Sequence, residues 1–258
     1  MGLLIGQPSI LTIAGHPGEQ RAAGRVKIVQ NLIDAAIAQA LSRFSKAMQG
    51  RPHFIQVMAG DKPALNAKNL DAFDAVFFFG AGPGNLNEQQ MQDLLAFVKD
   101  DGKGFVAAHT GDNAFQQYPD YREMIGGLWN HPWTKSENLE VDLPVIVEDP
   151  SFPAMQSLPS AFMVHDEAAV HLPPYSRDNV RVLARLDLTE IDHDLARDPA
   201  DNDVPIAWAK RYGKGRVFYS TLGHSDQSWD NPLVQRMFFD AIRWSMGLVE
   251  GNAEPLGQ

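Results

Sequence analysis

The feature that most constrains the fold of this chain is an apolar run that ends in a histidine. Phe105 to Ala108 is apolar without alternation, as expected of a strand buried on both faces of a parallel sheet, and His109 follows it directly. Asn113 is of a residue type that often caps the start of a helix. The stretch from Gly104 to Phe115 therefore predicts a strand, a tight turn and a helix. Because ligands of open α/β sheets bind at the carboxyl ends of the strands, His109 is a candidate site residue.

The chain before this stretch alternates between strand-like and helix-like segments. Ile10 to Ala14, Phe54 to Met58 and Ala75 to Phe79 are short apolar runs bounded by turn residues, which predict strands. Apolar residues recur at three- and four-residue spacing from Val29 to Phe44, which predicts a helix, and a second helix is predicted from about Asn87. This alternation predicts an α/β fold with a parallel sheet covered by helices on both faces.

The second half of the chain predicts shorter elements. A short helix closed by Gly126 and Gly127, and then a loop, are predicted up to Trp133. The acidic stretch from Asp187 to Asp203 predicts a solvated loop or lid, and Asn231 with Pro232 predicts the start of a final helix. Further strands and a β-hairpin turn are predicted at Leu139 to Val147, Ala161 to His171, Arg181 to Leu188 and Tyr212 to Gly215.

Composition excludes several classes of function. The formal net charge of -10, with scattered Lys and Arg, argues against a nucleic-acid partner, and the absence of cysteine excludes disulfides and cysteine nucleophiles. No apolar run approaches the length of a membrane span, so we expect a soluble cytoplasmic or periplasmic protein without a membrane partner. Gly80 to Gly84 lacks the spacing of a nucleotide-binding loop, so no nucleotide cofactor is expected. We expect one domain over residues 8–248, with flexible termini at residues 1–7 and 249–258.

Histidines and carboxylates form the candidate catalytic group. Asp112 lies three residues after His109 and could position it, and His224 with Asp226 follows a predicted strand, so that Asp226 could orient His224. A surface pair without function is the competing interpretation of His224 and Asp226. His16 follows the predicted first strand, and His16, His109 and His224 could together hold a divalent metal such as zinc.

Aromatic and polar residues in the predicted loops suit a sugar ligand. Aromatic faces stack on the C–H surfaces of sugars, and carboxylates or imidazoles bind their hydroxyls. The tryptophans have a competing interpretation as core residues. The candidate substrate-binding residues are His131, Trp133, His165, Glu167 and Trp229.

Four ordered blocks of sequence resemble the ThuA-like, or trehalose utilisation, family. They are residues 104–112, 126–133, 180–187 and 205–224, and the resemblance extends from about Ile10 to Gly247. It implies a class I glutamine amidotransferase-like fold, which is a flavodoxin-like doubly wound, mainly parallel sheet with helices on both faces, here with an added β-hairpin and strand region. In that superfamily a cysteine nucleophile stands where this chain has His109, and a His-x-Glu pair corresponds to His224 and Asp226. Amidotransferase activity is therefore not expected, because an imidazole cannot replace the thiolate.

The resemblance also implies a role in the catabolism of trehalose and related disaccharides. Our main hypothesis is a hydrolase or lyase that acts on a glycoside or its keto-sugar, with His109 and His224 exchanging protons with the saccharide. The alternative is a sugar-binding or accessory subunit of a sugar dehydrogenase system, without turnover of its own. The sequence leaves open the exact substrate and whether the protein forms a homo-oligomer.

Overall fold

The computed structural model describes residues 25–31, 54–59, 65–71, 73–80, 86–135, 139–198 and 202–256, with the backbone alone for the first two ranges and for His193. The strands are β1 (Arg25–Asn31), β2 (Phe54–Ala59), β3 (Ala75–Gly80), β4 (Gly104–Ala108), β5 (Leu128–Pro132), β6 (Val141–Val147), β7 (Ala161–Asp166), β8 (Ala169–Leu172), β9 (Arg181–Leu186), β10 (Pro205–Tyr212) and β11 (Gly215–Ser220). The α-helices are α1 (Ala67–Leu70), α2 (Glu88–Lys99), α3 (Pro119–Ile125), α4 (Asp226–Asp230) and α5 (Pro232–Ser245), and short 3-10 turns cover His109–Gly111 and His193–Leu195.

Nine of the described strands form one mixed sheet in the order β2-β1-β3-β4-β11-β10-β9-β6-β7. The β1, β2, β3, β4 and β11 strands are parallel, whereas β10, β9, β6 and β7 continue the sheet with antiparallel pairings. The β5 and β8 strands form a separate two-stranded sheet. This is the α/β architecture that the sequence predicts, with the β10 and β11 hairpin in its centre.

Each face of the sheet has its own hydrophobic core. On β3, Phe77 and Phe79 pack into the core that includes α5, while Val76 and Phe78 pack into the core that includes α2 and α3. Burial on both faces explains why this strand is apolar without alternation.

Two helices begin where the sequence predicts. Asn87 and Gln90 form a capping box at the start of α2, and Asn231 caps α5 with Pro232 in its first turn. Among the described residues, no helix is long and apolar enough to cross a membrane.

The first part of the chain differs from the prediction. Arg25–Asn31 is a parallel strand paired with β2 and β3, so the helix predicted from Val29 is wrong at its start. Arg25 to Ile28 alternates polar and apolar residues, a strand signal that the longer helical spacing concealed. The predicted strand from Ile10 to Ala14 and the remainder of the predicted helix lie outside the described residues.

Three further expectations need correction. Residues 112–117 form turns after His109, and the helix starts only at Pro119, because Phe115 has a left-handed backbone (φ 53°) that a helix does not allow. The segment after Gly126 is strand β5 instead of a loop. The described part of the segment after Leu248, residues 249–256, is packed instead of frayed, since Ala253 is only 3% exposed and the Trp244 indole N–H donates to the Gly251 carbonyl.

Candidate active site at the carboxyl edge of the sheet

Two neighbouring parallel strands bring His109 and His224 to one edge of the sheet. Ala108 is paired with Ser220, so the residues that follow β4 and β11 emerge side by side. His109 has a left-handed backbone with φ 48°, a conformation that histidine adopts more readily than most residues, and Tyr219 Oη donates to its carbonyl at 2.8 Å. Its ring Nδ1 lies 3.3 Å from the Thr221 carbonyl oxygen. A carbonyl can only accept, so Nδ1 carries the proton and Nε2 presents its lone pair to the site.

A buried carboxylate at the end of β7 fixes the loop that carries His224. Asp166 is fully buried and accepts hydrogen bonds from the backbone N–H groups of Gly223 at 2.7 Å, His224 at 2.9 Å and Ser225 at 3.1 Å. Burial raises the pKa of the Asp166 carboxyl, and the amide donors oppose that rise. Ser225 then caps α4 by accepting from the Ser228 N–H. The position of the His224 ring is therefore set by backbone hydrogen bonds.

Glu167, the next residue after Asp166, completes a compact group with the two histidines. Its Oε2 lies 2.9 Å from His224 Nδ1, and the same nitrogen lies 3.2 Å from His109 Nε2. The two imidazole rings meet edge to face with their centroids 4.9 Å apart. One atom from each of His109, Glu167 and His224 lies within 4.8 Å of the others, and Glu167 is almost entirely buried. We call these three residues the edge cluster.

The pKa values of the two histidines of the edge cluster are shifted in opposite directions. Desolvation lowers the pKa of His109, partly opposed by the negative charges of Glu167 and Asp166. The hydrogen bond with Glu167 raises the pKa of His224. A pair of titratable groups with separated pKa values suits the division of labour between a base and an acid.

A second set of polar side chains lies on the outer side of His224. Glu140 lies 3.8 Å from His224 Nε2 through one carboxylate oxygen and 3.8 Å from His165 Nε2 through the other. His165 Nδ1 in turn lies 2.8 Å from Asp142 Oδ1. His165, Glu140 and His224 are each about one third exposed, so this side of the edge cluster is open to a polar ligand.

Asp112 lies beneath the His109 turn and does not face the edge cluster. Its carboxylate is fully buried, and Oδ2 lies 3.1 Å from Nε2 of the equally buried His171, although the two atoms do not meet hydrogen-bond geometry. The ring of His171 packs against Trp208 and Tyr219. Burial raises the pKa of Tyr219, and Asp112 adds to the rise. Asp112 therefore supports the turn from below through Tyr219 and His171.

The remaining predicted site residues are scattered in position. Trp133 and Trp229 are 1% and 0% exposed and belong to the core, so neither presents a face for stacking on a sugar. His131 is partly exposed on β5, with Nδ1 2.8 Å from the Pro132 carbonyl. Asp226 is the exposed first residue of α4, and the carboxylate at the Nδ1 side of His224 is Glu167. His16 lies outside the described residues.

Several residues of the site carried no decisive sequence signal. Asp166, Glu140, His171 and Tyr219 were not predicted, and Glu167 was predicted to bind substrate directly. One signal was available for Asp166 and Glu167. They lie at the carboxyl end of the strand β7, which runs in the same direction as β4 and β11 and therefore ends at the same edge.

The family of the chain follows from comparison with protein-family models. The model described as "ThuA: Trehalose utilisation" matches residues 25–245. The chain belongs to this family. Membership supports a role associated with trehalose utilisation, and the match begins at β1, which places the start of the resemblance at Arg25 instead of about Ile10. A search of curated proteins gives no match.

Solved structures support the fold of the ThuA family member. A ThuA-like protein from Bacteroides uniformis is 18% identical, with a TM-score of 0.69 over 90% of this chain and 95% of that one. A ThuA-like protein from Parabacteroides merdae is 14% identical, with a TM-score of 0.65 over 87% of this chain and 90% of that one. A β-galactosidase from Bacillus circulans is 12% identical, with a TM-score of 0.55 over 90% of this chain and 32% of that one. At these identities the likeness shows the fold alone, which is the class I glutamine amidotransferase-like fold.

Proposed function

We propose that this protein is an enzyme of sugar catabolism, a hydrolase or lyase that acts on a glycoside or its keto-sugar at the edge cluster. The observation that carries the proposal is the convergence of His109 Nε2, His224 Nδ1 and Glu167 Oε2 at the carboxyl edge of the sheet. Ligands of doubly wound α/β folds bind at this edge. Membership of a family described by trehalose utilisation supports a sugar as the class of substrate.

The chemistry of a keto-sugar fits the two imidazoles. A keto group makes the neighbouring C–H bond acidic, and His109 Nε2, whose lone pair points into the edge cluster, accepts that proton. The electron pair of the C–H bond becomes a C=C bond as the glycosidic C–O bond breaks, and His224, whose pKa is raised by Glu167, gives its proton to the departing oxygen. In a hydrolase the same pair would instead activate a water molecule and protonate the leaving group. In this assignment Glu167 takes the orienting role that the sequence predicted for Asp226.

The decisive test compares turnover of trehalose-type glycosides and their keto derivatives by wild type and His109→Asn. Asparagine tolerates the left-handed backbone, so the turn is kept while the imidazole is removed. We expect a loss of turnover of at least about 100-fold, the contribution typical of a general acid or base. The matched control is His193→Gln, which removes an imidazole from the 3-10 turn after β9.

Two outcomes would overturn the proposal. Equal turnover by wild type and His109→Asn would show that the edge cluster takes no part in the reaction. Calorimetry that shows sugar binding, with no product formed by any preparation, would favour the accessory sugar-binding subunit.

A further inference from the structure

The ligand atoms of the edge cluster are spaced like the edges of a coordination polyhedron. Two ligands about 2.1 Å from one cation, at tetrahedral or octahedral angles, lie about 3.0 to 3.4 Å from each other. The separation between His224 Nδ1 and His109 Nε2 is 3.2 Å, and that between His224 Nδ1 and Glu167 Oε2 is 2.9 Å. These two separations suit a single cation, and ligand atoms of all three residues lie within 4.8 Å of one another.

The far side of the His109 ring is also arranged as in a metal site, and the far side of the His224 ring faces a carboxylate. Metal-binding histidines usually donate the other ring N–H to a carbonyl or a carboxylate, which fixes the tautomer and the ring orientation. His109 Nδ1 faces the Thr221 carbonyl at 3.3 Å, and His224 Nε2 faces the Glu140 carboxylate at 3.8 Å. His109 Nε2 is therefore left with a lone pair that points into the cluster, and a cation could replace the proton that His224 Nδ1 shares with Glu167.

We propose that His109, His224 and Glu167 hold one divalent transition-metal ion, zinc or a metal of similar ligand preference. Two imidazoles and one carboxylate form a donor set that catalytic zinc uses with a position left open for water or substrate. Two histidines and one carboxylate in a facial arrangement also bind iron(II), so the identity of the metal has to be measured. This set replaces the three-histidine site predicted from the sequence, with Glu167 in place of His16.

A bound cation would deepen the function proposed above, on which its catalytic purpose rests. It would lie between the ligand atoms of the edge cluster, so that His109 and His224 become ligands instead of proton carriers. The open position would then polarise a keto oxygen or lower the pKa of a bound water molecule. The partly exposed side of His224 leaves room for such a substrate to approach.

Metal binding can be measured without any sugar. The full chain is purified without a His-tag, analysed for metal content, stripped with a chelator and titrated calorimetrically with Zn²⁺ and Co²⁺. We expect one ion per chain and, for Co²⁺, an absorption spectrum of nitrogen and oxygen ligation in low coordination. His109→Asn, His224→Gln and Glu167→Gln should each weaken the affinity by at least about 100-fold, since each removes a ligand.

The control and the contrary outcomes separate this inference from the proposed function. His193→Gln should bind Co²⁺ like wild type, and circular dichroism shows whether each variant is folded. Stripped protein that takes up no ion, or folded cluster variants that bind as tightly as wild type, would overturn the metal site. Full sugar turnover by metal-free protein would also overturn a catalytic metal while leaving the imidazole mechanism intact. One bound ion with no turnover of any saccharide would support the metal site and contradict the proposed function.

Discussion

At the scale of single residues, the pairing of His224 with Glu167 predicts how the stability of metal-free protein depends on pH. Glu167 is the main cause of the raised pKa of His224, so Glu167→Gln should lower that pKa in an NMR titration of the imidazoles. A raised folded pKa contributes stability that is present below the unfolded value of 6.5 and is lost as the pH rises through the folded value. The stability deficit of Glu167→Gln should therefore be larger in acid than at high pH.

The measurement is urea unfolding of both proteins in chelator at pH 6 and pH 9. Asp142→Asn is the matched control, because it also removes a carboxylate beside a histidine, but that carboxylate is 76% exposed. An equal deficit for Glu167→Gln at both pH values would contradict the assignment.

The hydroxyl of Tyr219 supports the unusual backbone of His109. Tyr219→Phe removes the donor to the His109 carbonyl and should lower the free energy of unfolding by about 1 to 3 kcal/mol, the usual effect of leaving a buried acceptor unsatisfied. It should also weaken Co²⁺ binding if that turn positions the His109 ring. The partly buried Tyr212 provides the control, because Tyr212→Phe keeps the ring that faces Lys99 Nζ. Similar losses in both variants would show that the hydroxyl of Tyr219 has no special role.

At the scale of elements, the connection between β11 and α4 depends on one glycine. Gly223 has φ 126°, and a Cβ there would lie 2.7 Å from Trp229 Cζ2, in a loop whose amides are held by Asp166. Gly223→Ala should therefore both destabilise the protein and displace His224. Gly247 is the matched control, because it also has a positive φ, 76°, but a Cβ at this position would have no atom within 4 Å.

We expect Gly247→Ala to cost about 1 to 2 kcal/mol, the penalty for a left-handed alanine, and to leave Co²⁺ binding unchanged. Gly223→Ala should cost more and should weaken Co²⁺ binding. Thermal unfolding and the cobalt titration measure the two effects, and unaltered cobalt affinity in Gly223→Ala would mean that this loop does not position His224.

The elements also show what the sequence could and could not predict. Strands β3 and β4, helix α2, the hairpin and the cap of α5 were predictable, because their signals are local. The pairing of Glu167 with His224 was not, because it joins the ends of β7 and β11, which are separated by three other strands in the sheet. Asp226 was the plausible alternative, since sequence alone measures proximity along the chain. The helix predicted from Val29 failed because tertiary pairing with β2 and β3 determines the structure of Arg25–Asn31.

At the scale of the whole molecule, the two cores explain how the site is kept rigid. The edge cluster takes residues from three strand ends, and the two cores on opposite faces fix those strands. The second core includes Tyr219 and Tyr121, whose hydroxyls donate to the carbonyls of His109 and Gly111 in that turn. The geometry of the cluster is therefore a consequence of sheet packing, so changes far from the site should lower stability without changing the ligand set.

The segment after α5 provides a test of whether stability can be lowered without changing the ligand set of the edge cluster. Arg216 donates to the carbonyls of Trp244 and Val249 and pairs with Glu250, and Ala253 is buried in the core that contains α5. Deletion of residues 250–258 would expose this part of the core and remove the acceptor of the Trp244 indole. We expect a loss of a few kcal/mol in the free energy of unfolding, from the lost burial and hydrogen bonds. Deletion of residues 256–258 is the control, because Leu256 is 52% exposed.

The expected pattern is a lower midpoint of thermal unfolding for the longer deletion alone, with the same Co²⁺ affinity in both folded deletion proteins. The segment lies on the side of α5 and Phe152, whereas the edge cluster lies at the carboxyl ends of β4, β7 and β11. Loss of cobalt affinity in the folded longer deletion would show that the segment and the edge cluster are coupled. An unchanged midpoint would instead show that the packing of Ala253 contributes little to stability.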